Sequence, residues 1–200
     1  MKTLLVIQSS LFGENGQSSR LTQQFVQRWQ AAHPDGRVIE RDVTTDAVPH
    51  LTAEGFAGFQ VQNGQYTPAQ RATLARSDSY IRELREADEI AIGLPMYNLG
   101  IPSQLKAWFD HVARAGVTFK YTENGPVGLI GDKPVTVLAA RGGMYQGTPK
   151  DSQSQHVRDF LNLLGITRIE FIYAEGLGMG EAQVDKAMTA ARVEIDRLAA

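Results

Sequence analysis

Thr3-Leu4-Leu5-Val6-Ile7-Gln8-Ser9-Ser10-Leu11-Phe12-Gly13-Glu14-Asn15-Gly16-Gln17-Ser18-Ser19 is the stretch that decides the fold class. Leu4 to Ile7 is a continuously apolar run, as in a strand covered on both faces. It empties into a polar loop, and the loop feeds a helical pattern from about Ser19 to Ala32. Leu21, Phe25 and Trp29 recur there at four-residue spacing, which puts them on one face. The loop brings hydroxyls and glycine-freed amides to a helix N-terminus, a place that attracts anions. No Lys or Arg stands between Gln8 and Ser19. An anion held there would rest on neutral donors, which suits a retained phosphomonoester better than a phosphoryl group in transfer. A plain helix cap at Ser18 or Ser19 explains the same residues equally well.

Outward from this stretch the alternation repeats. Arg37 to Val43 reads as a second strand, polar enough to sit at a sheet edge. Residues 44–66 read as irregular, and a connection of that length in a compact domain is often functional. Thr67-Pro68-Ala69-Gln70 opens a helix to about Ala87, with Thr as N-cap, Pro at the first position and Gln at the third. Glu89 to Leu94 is a third strand. Ile101-Pro102-Ser103 opens a helix burying Leu105, Trp108, Phe109 and Val112, and Val117 to Tyr121 alternates like a short hairpin strand. Val135 to Ala140, a helix from Ser152 to Leu164 with Gly165 after it, Ile169 to Ala174 and a final helix from Glu181 complete the pattern. Five strands alternating with helices predict an α/β fold: a doubly wound five-stranded parallel sheet with helices on both faces, in one domain over residues 1–200.

Ligands of such sheets bind beyond the carboxyl ends of the strands. The loop after the third strand, Pro95-Met96-Tyr97-Asn98-Leu99-Gly100-Ile101-Pro102, could seat a planar heteroaromatic ring, or be a turn whose Met96 and Tyr97 are merely packed. After the fourth comes Arg141-Gly142-Gly143, with amides free to approach a ligand and a cation where a reduced cofactor would become anionic; a solvated arginine on a flexible turn is the plainer reading. Glu175-Gly176-Leu177-Gly178-Met179-Gly180 fails the dinucleotide fingerprint, because Glu181 and Gln183 stand where glycine is needed. It reads as a flexible loop.

Composition excludes much else. Twenty Lys+Arg against twenty-two Asp+Glu give a net charge of −2, not the profile of a nucleic-acid binder. The chain has no cysteine, so disulfides, thiolate catalysis and Cys-held metals are out, and a reducing cytoplasm fits. The apolar run at the start ends at Gln8, too short for a secretion leader, and no stretch is long enough for a membrane span. His33, His50, His111 and His156 lack metal-ligand spacing. The phosphate loop of nucleotide hydrolases and the nucleophile elbow of esterases are both missing.

Several motifs together resemble one family. They are the Ser-Ser loop ending in Gln17-Ser18, Pro95-Met96-Tyr97-Asn98, Gln104-Leu105-Lys106 with Phe109-Asp110, the run from Ala113 to Pro126, Arg141-Gly142-Gly143, and Ala174-Glu175-Gly176. The chain is similar along almost its whole length to the FMN-dependent NADH-azoreductases, a branch of the flavodoxin-like quinone reductases. The resemblance implies a flavodoxin-like fold, tightly but noncovalently bound FMN, and a homodimer with its sites at the interface. It implies ping-pong, two-electron transfer from NADH or NADPH to quinones and azo compounds. By motif, Ser10, Gly16, Gln17 and Ser18 would hold the phosphate, and Met96, Tyr97, Asn98 and Leu99 would line the isoalloxazine. Ala140, Arg141, Gly142 and Gly143 would flank its pyrimidine end. Phe119 and Tyr121 would reach the substrate space, of their own or the partner subunit. No catalytic acid or base and no metal ligand is assigned, because the flavin carries the chemistry. The family often has Phe at Leu99, Ser at Ala140 and a hydroxyl residue at Gly16. An electron-carrier flavoprotein with no substrate site of its own would share the fold, but a net charge of −2 gives little of the steering field carriers use.

Overall fold

The computed structural model describes residues 1–60 and 64–198. Its strands are β1 (Thr3–Gln8), β2 (Arg37–Asp42), β3 (Glu89–Pro95), β4 (Phe119–Thr122), β5 (Gly125–Gly128), β6 (Val135–Ala140) and β7 (Ile169–Ala174). Its helices are α1 (Gln17–Ala32), α2 (Ala53–Gly58), α3 (Pro68–Glu86), α4 (Ser103–Val112), α5 (Ser152–Leu163) and α6 (Glu181–Leu198). Five strands pair in the order β2-β1-β3-β6-β7, each neighbour parallel, while β4 and β5 form a separate antiparallel hairpin. This is the expected doubly wound sheet, with the polar β2 at its edge.

The continuous apolar runs are explained by two cores. Along β1, Leu4 and Val6 point toward Leu21, Phe25 and Trp29 of α1 and Met188, Ala191 and Ile195 of α6. Leu5 and Ile7 point to the opposite face, with Leu84 of α3, Trp108 and Phe109 of α4 and Val157 and Leu161 of α5. A strand packed on both faces has no polar side to alternate. Helix α3 begins on the full capping box, Thr67 accepting from the Gln70 amide at 3.2 Å and Gln70 returning to the Thr67 amide at 2.9 Å. Gly165 ends α5 at φ 90°, the left-handed turn that closes a helix.

The segment read as irregular, 44–66, contains helix α2, capped by Thr52 Oγ1 accepting from the Gly55 amide at 3.1 Å. Residues 61–63 of that segment lie outside the described residues. A helix of six residues carrying two glycines shows no apolar period. Its glycines serve instead to let it lie against α3, where an added Cβ would press on Thr73 at 2.8 Å and Gln70 at 3.0 Å. Among the described residues no helix is long and apolar enough to cross a membrane.

Candidate functional site

The chain leaves β1 toward β2 on one side and β3 lies on the other, so the strand order reverses between β1 and β3. A crevice opens at such a reversal, beyond the carboxyl ends of the strands. The loops after β1, β3, β6 and β7 all emerge at that edge.

In the first loop the serines divide their work. Ser9 donates to the Gly93 carbonyl at 2.6 Å and ties the loop to β3. Ser10 Oγ accepts from the Phe12 amide at 3.2 Å and lies 3.4 Å from the Tyr97 hydroxyl, which accepts from the Leu11 amide at 3.1 Å. Helix α1 then starts at Gln17, two residues before the expected Ser19, with Gly16 in the cap position and no side chain capping it. Ser18 and Ser19 lie inside the first turn, so the plain-cap reading is set aside. The first amides of α1 have no partner within the helix. Ser18 is 1% exposed and its Oγ has no hydrogen-bond partner. A buried hydroxyl left this way costs about 1–3 kcal/mol, so the position is shaped for an acceptor from outside the chain.

The loop after β3 closes as a two-residue turn. Tyr97 and Gly100 exchange backbone bonds at 3.1 and 3.0 Å, while Asn98 and Leu99 sit at φ 49° and 65°. These are the positive-φ residues other than glycine in the described chain. Asn tolerates the left-handed region, but Leu pays roughly 1 kcal/mol for it. Leu99 is half exposed, at 48%. Met96 is half-buried and donates its amide to the Ala140 carbonyl at 3.0 Å, joining this loop to the end of β6.

Arg141 corrects both sequence readings. It is neither solvated nor a free charge facing the crevice: its side chain is 0% exposed. It bonds Glu175 at 3.1 Å, Asp151 at 2.9 Å, Ser154 at 2.8 Å and Gln153 at 3.2 Å, over the ring of Tyr173. Burial pushes the Asp151 carboxyl up, but hydrogen bonds from Arg141 and from the Ser154 amide and hydroxyl outweigh it and hold the group below its ordinary value. Glu175 also accepts the Tyr145 and Gln146 amides, both at 2.9 Å, and so shapes the loop after β6. The Arg141 amide and carbonyl are bonded to Ala174 and Leu177, so what this loop leaves to a ligand is the amides of the two glycines beyond it. A Cβ on Gly142 would meet nothing within 4 Å, so that backbone borders open space; a Cβ on Gly143 would strike the Tyr145 ring at 2.8 Å.

The loop after β7 is not the free, flexible loop expected from its glycines. Gly176, Leu177 and Gly178 donate to the carbonyls of Gly143, Arg141 and Gly142 at 2.9–3.0 Å. Three backbone bonds of this kind extend the β6–β7 pairing past the strands.

The structure thus brings Ser10, Gly16, Gln17, Ser18, Met96, Tyr97, Asn98, Leu99, Ala140, Arg141, Gly142 and Gly143 to one edge. It does not bring Phe119 and Tyr121 there. Their hairpin follows α4 and packs where α3 and α5 end, with Arg85 bonding the Val117 carbonyl and Gly128 against Gly165. Those helix ends lie at the amino edge of the sheet. Phe119 is buried with Tyr121 across it at 5.4 Å, and Tyr121 is 76% exposed. Sequence reasoning missed Ser152, Gln153 and Glu175. Ser152 read only as a helix start, and the four consecutive polar residues Asp151-Ser152-Gln153-Ser154 were the available signal. Among the described residues no group of three His, Asp or Glu is placed to hold a metal ion.

An orphaned hydroxyl at an uncapped helix N-terminus, an open glycine backbone and a rigid aromatic-bearing turn fit a phosphorylated planar ring such as FMN. The family model for the flavodoxin-like fold matches residues 1–199. The FMN-dependent NADH:quinone oxidoreductase of Cellvibrio japonicus is 54% identical, over 98% of both chains. That of Alcanivorax borkumensis is 51% identical, over 96% of this chain and 97% of its own. An azoreductase crystal structure from Bacillus anthracis superposes with a TM-score of 0.91 at 31% identity, over 100% of this chain and 99% of that one. The chain belongs to the flavodoxin-like fold family, among its FMN-dependent NADH:quinone oxidoreductases.

Proposed function

We propose that this protein is an FMN-dependent oxidoreductase that takes a hydride from NADH or NADPH and reduces quinones and aromatic azo compounds by two-electron, ping-pong transfer. The observation that carries this reading is the buried Ser18 hydroxyl without a partner at the uncapped start of α1. Ser10, Gln17 and Ser18, with the Gly16 backbone, would hold the phosphate. Met96, Tyr97, Asn98 and Leu99 would lie along the ring, and the backbone of Ala140 to Gly143 would meet its polar end. Bound FMN supplies the hydride-accepting and electron-donating chemistry; the chain supplies binding, orientation and exclusion of water. A rigid turn matters here because hydride transfer demands aligned, close partners. No side chain is assigned as acid or base.

The whole chain, 1–200, acts in this reading as one FMN-binding domain in a cytoplasmic homodimer whose sites lie at the interface. Two features support the pairing. Tyr121 stands exposed at the sheet edge remote from its own crevice. The outer side of α5 carries half-buried Phe160 and Leu163 beside the exposed His156 in a shallow groove. The carrier reading is not favoured, since the relatives bearing the match are named for a donor and an acceptor of their own.

The test is a visible spectrum of the purified protein taken without air. Flavin bands that NADH bleaches in one step, and that benzoquinone restores, are expected. Bands indifferent to NADH would move the protein to the carriers, and protein that stays colourless after incubation with FMN would end the reading.

A further inference from the structure

The first turn of α5 packs behind the loop after β3. Gln153, only 1% exposed, spans two of the site's loops. Its Nε2 donates to the Pro95 carbonyl at 2.8 Å and to the Gly100 carbonyl at 3.2 Å. Its Oε1 accepts from Arg141 Nε at 3.2 Å. Pro95 and Gly100 bracket the strained Asn98-Leu99 turn, and Arg141 opens the Gly142-Gly143 loop. One residue earlier, Ser152 Oγ donates to the Leu99 carbonyl at 2.6 Å. Two residues in left-handed conformation persist only when their surroundings over-determine them. Here the surroundings are two side chains of α5.

We propose that Gln153, aided by Ser152, is a positioning residue for flavin binding and hydride transfer: it holds the Met96–Gly100 turn in its left-handed form and fixes that turn relative to the Gly142-Gly143 loop. It touches neither cofactor nor substrate in this scheme and acts through the backbone of both loops. Its amide suits the task because it is at once donor and acceptor. A carboxylate could not donate to the two carbonyls, and an amine could not accept from Arg141. The proposal rests on the FMN reading only for its consequence; the restraint on the turn is a property of the protein without cofactor.

The test therefore begins on FMN-free protein. Amide hydrogen exchange is compared in wild type, Gln153→Met and Ser152→Ala. Loss of these bonds is expected to speed exchange of the Tyr97 and Gly100 amides about tenfold or more, while the β1–β3 and β3–β6 ladders keep their protection. A residue that mattered only for overall stability would speed the ladders as well. FMN titration should then show about tenfold weaker binding in Gln153→Met, and the midpoint potential of the FMN that binds should shift. Wild-type exchange at Tyr97 and Gly100 in both variants would overturn the proposal. If Gln153→Met does not fold, Ser152→Ala decides through the same two amides. Wild type that takes no FMN would defeat the functional reading alone, since the exchange result stands without cofactor.

Discussion

A Cβ at position 16 would lie 2.0 Å from Oγ of Ser10 and 2.8 Å from Cβ of Ser10. Only glycine lets the Ser10 hydroxyl stay where it meets the Phe12 amide and the Tyr97 hydroxyl. The hydroxyl residue common at this position in the family is therefore not simply lost here: Ser10 fills its space. Gly16→Ala should displace Ser10 and weaken FMN binding about tenfold, and adding Ser10→Ala should cost little more, because the two changes damage one contact. Fluorescence titration of the apoprotein with FMN checks both. Additive losses would separate the two residues.

Ser18 should behave differently in folding and in binding. Its hydroxyl is buried and unpaired in the chain alone, so Ser18→Ala should leave the thermal midpoint of the apoprotein unchanged or raised. The same change should weaken FMN binding, and Ser18→Asp should abolish it by setting a carboxylate against the phosphate. Unaltered FMN affinity in Ser18→Asp would remove the phosphate from this loop.

Removing Arg141 leaves Asp151 and Glu175 buried without their cation. Arg141→Met should destabilise the protein by about 3–5 kcal/mol, the scale for breaking a buried pair from one side. For a chain of this size that lowers the melting temperature by roughly 10 °C. The sign with pH follows from Asp151, whose folded value lies below its ordinary 3.8. Its contribution is present above that value and is lost as pH falls toward the folded value. The gap between wild type and variant should accordingly narrow in acid. Differential scanning calorimetry at pH 7 and at pH 3, below the ordinary 3.8, tests this, and a constant gap would contradict it.

His111 gives a second acid-sensitive term, in a higher window. It is buried on α4, one ring nitrogen 3.0 Å from the Pro49 carbonyl and the other without a partner. Burial pushes its pKa below 6.5, the Pro49 carbonyl opposes this, the Arg76 charge adds to it and Asp110 opposes it weakly. Tyr80 packs edge-on against the ring. The unfolded chain takes up the proton first, so stability falls as pH drops below 6.5, by at most about 1.4 kcal/mol per pH unit until the folded group titrates. Urea midpoints of wild type should drop between pH 7.5 and 5.5 more than those of His111→Gln. Equal drops would clear His111 of the effect.

The fold was legible because its central strands carry no alternation. Leu4 to Ile7 is apolar throughout and Val135 to Ala140 is broken only by Thr136, the pattern of strands covered on both faces. The backbone parts of the site were legible too, since glycine and proline mark loops without reference to distant residues. Side chains whose partners lie far along the chain were not. Arg141 meets Asp151, Glu175 and Tyr173, ten to thirty-four residues away, and nothing local distinguishes it from a solvated arginine. Gln153 was hidden for the same reason, its carbonyl partners being more than fifty residues distant. The glycines after β7 misled in the other direction: freedom of the isolated segment was read as mobility, whereas its amides are committed to the neighbouring loop.

The φ of 65° at Leu99 has a consequence for anyone who wishes to alter which acceptors the enzyme takes. A saturation library at this exposed position would be filtered by the backbone before the acceptor has any say. Valine, isoleucine and threonine variants would drop out, and glycine, asparagine and aspartate would survive, whatever dye or quinone is used for selection. Diversity is better placed at Phe12 and Met144, which are exposed on neighbouring loops and carry no such backbone demand.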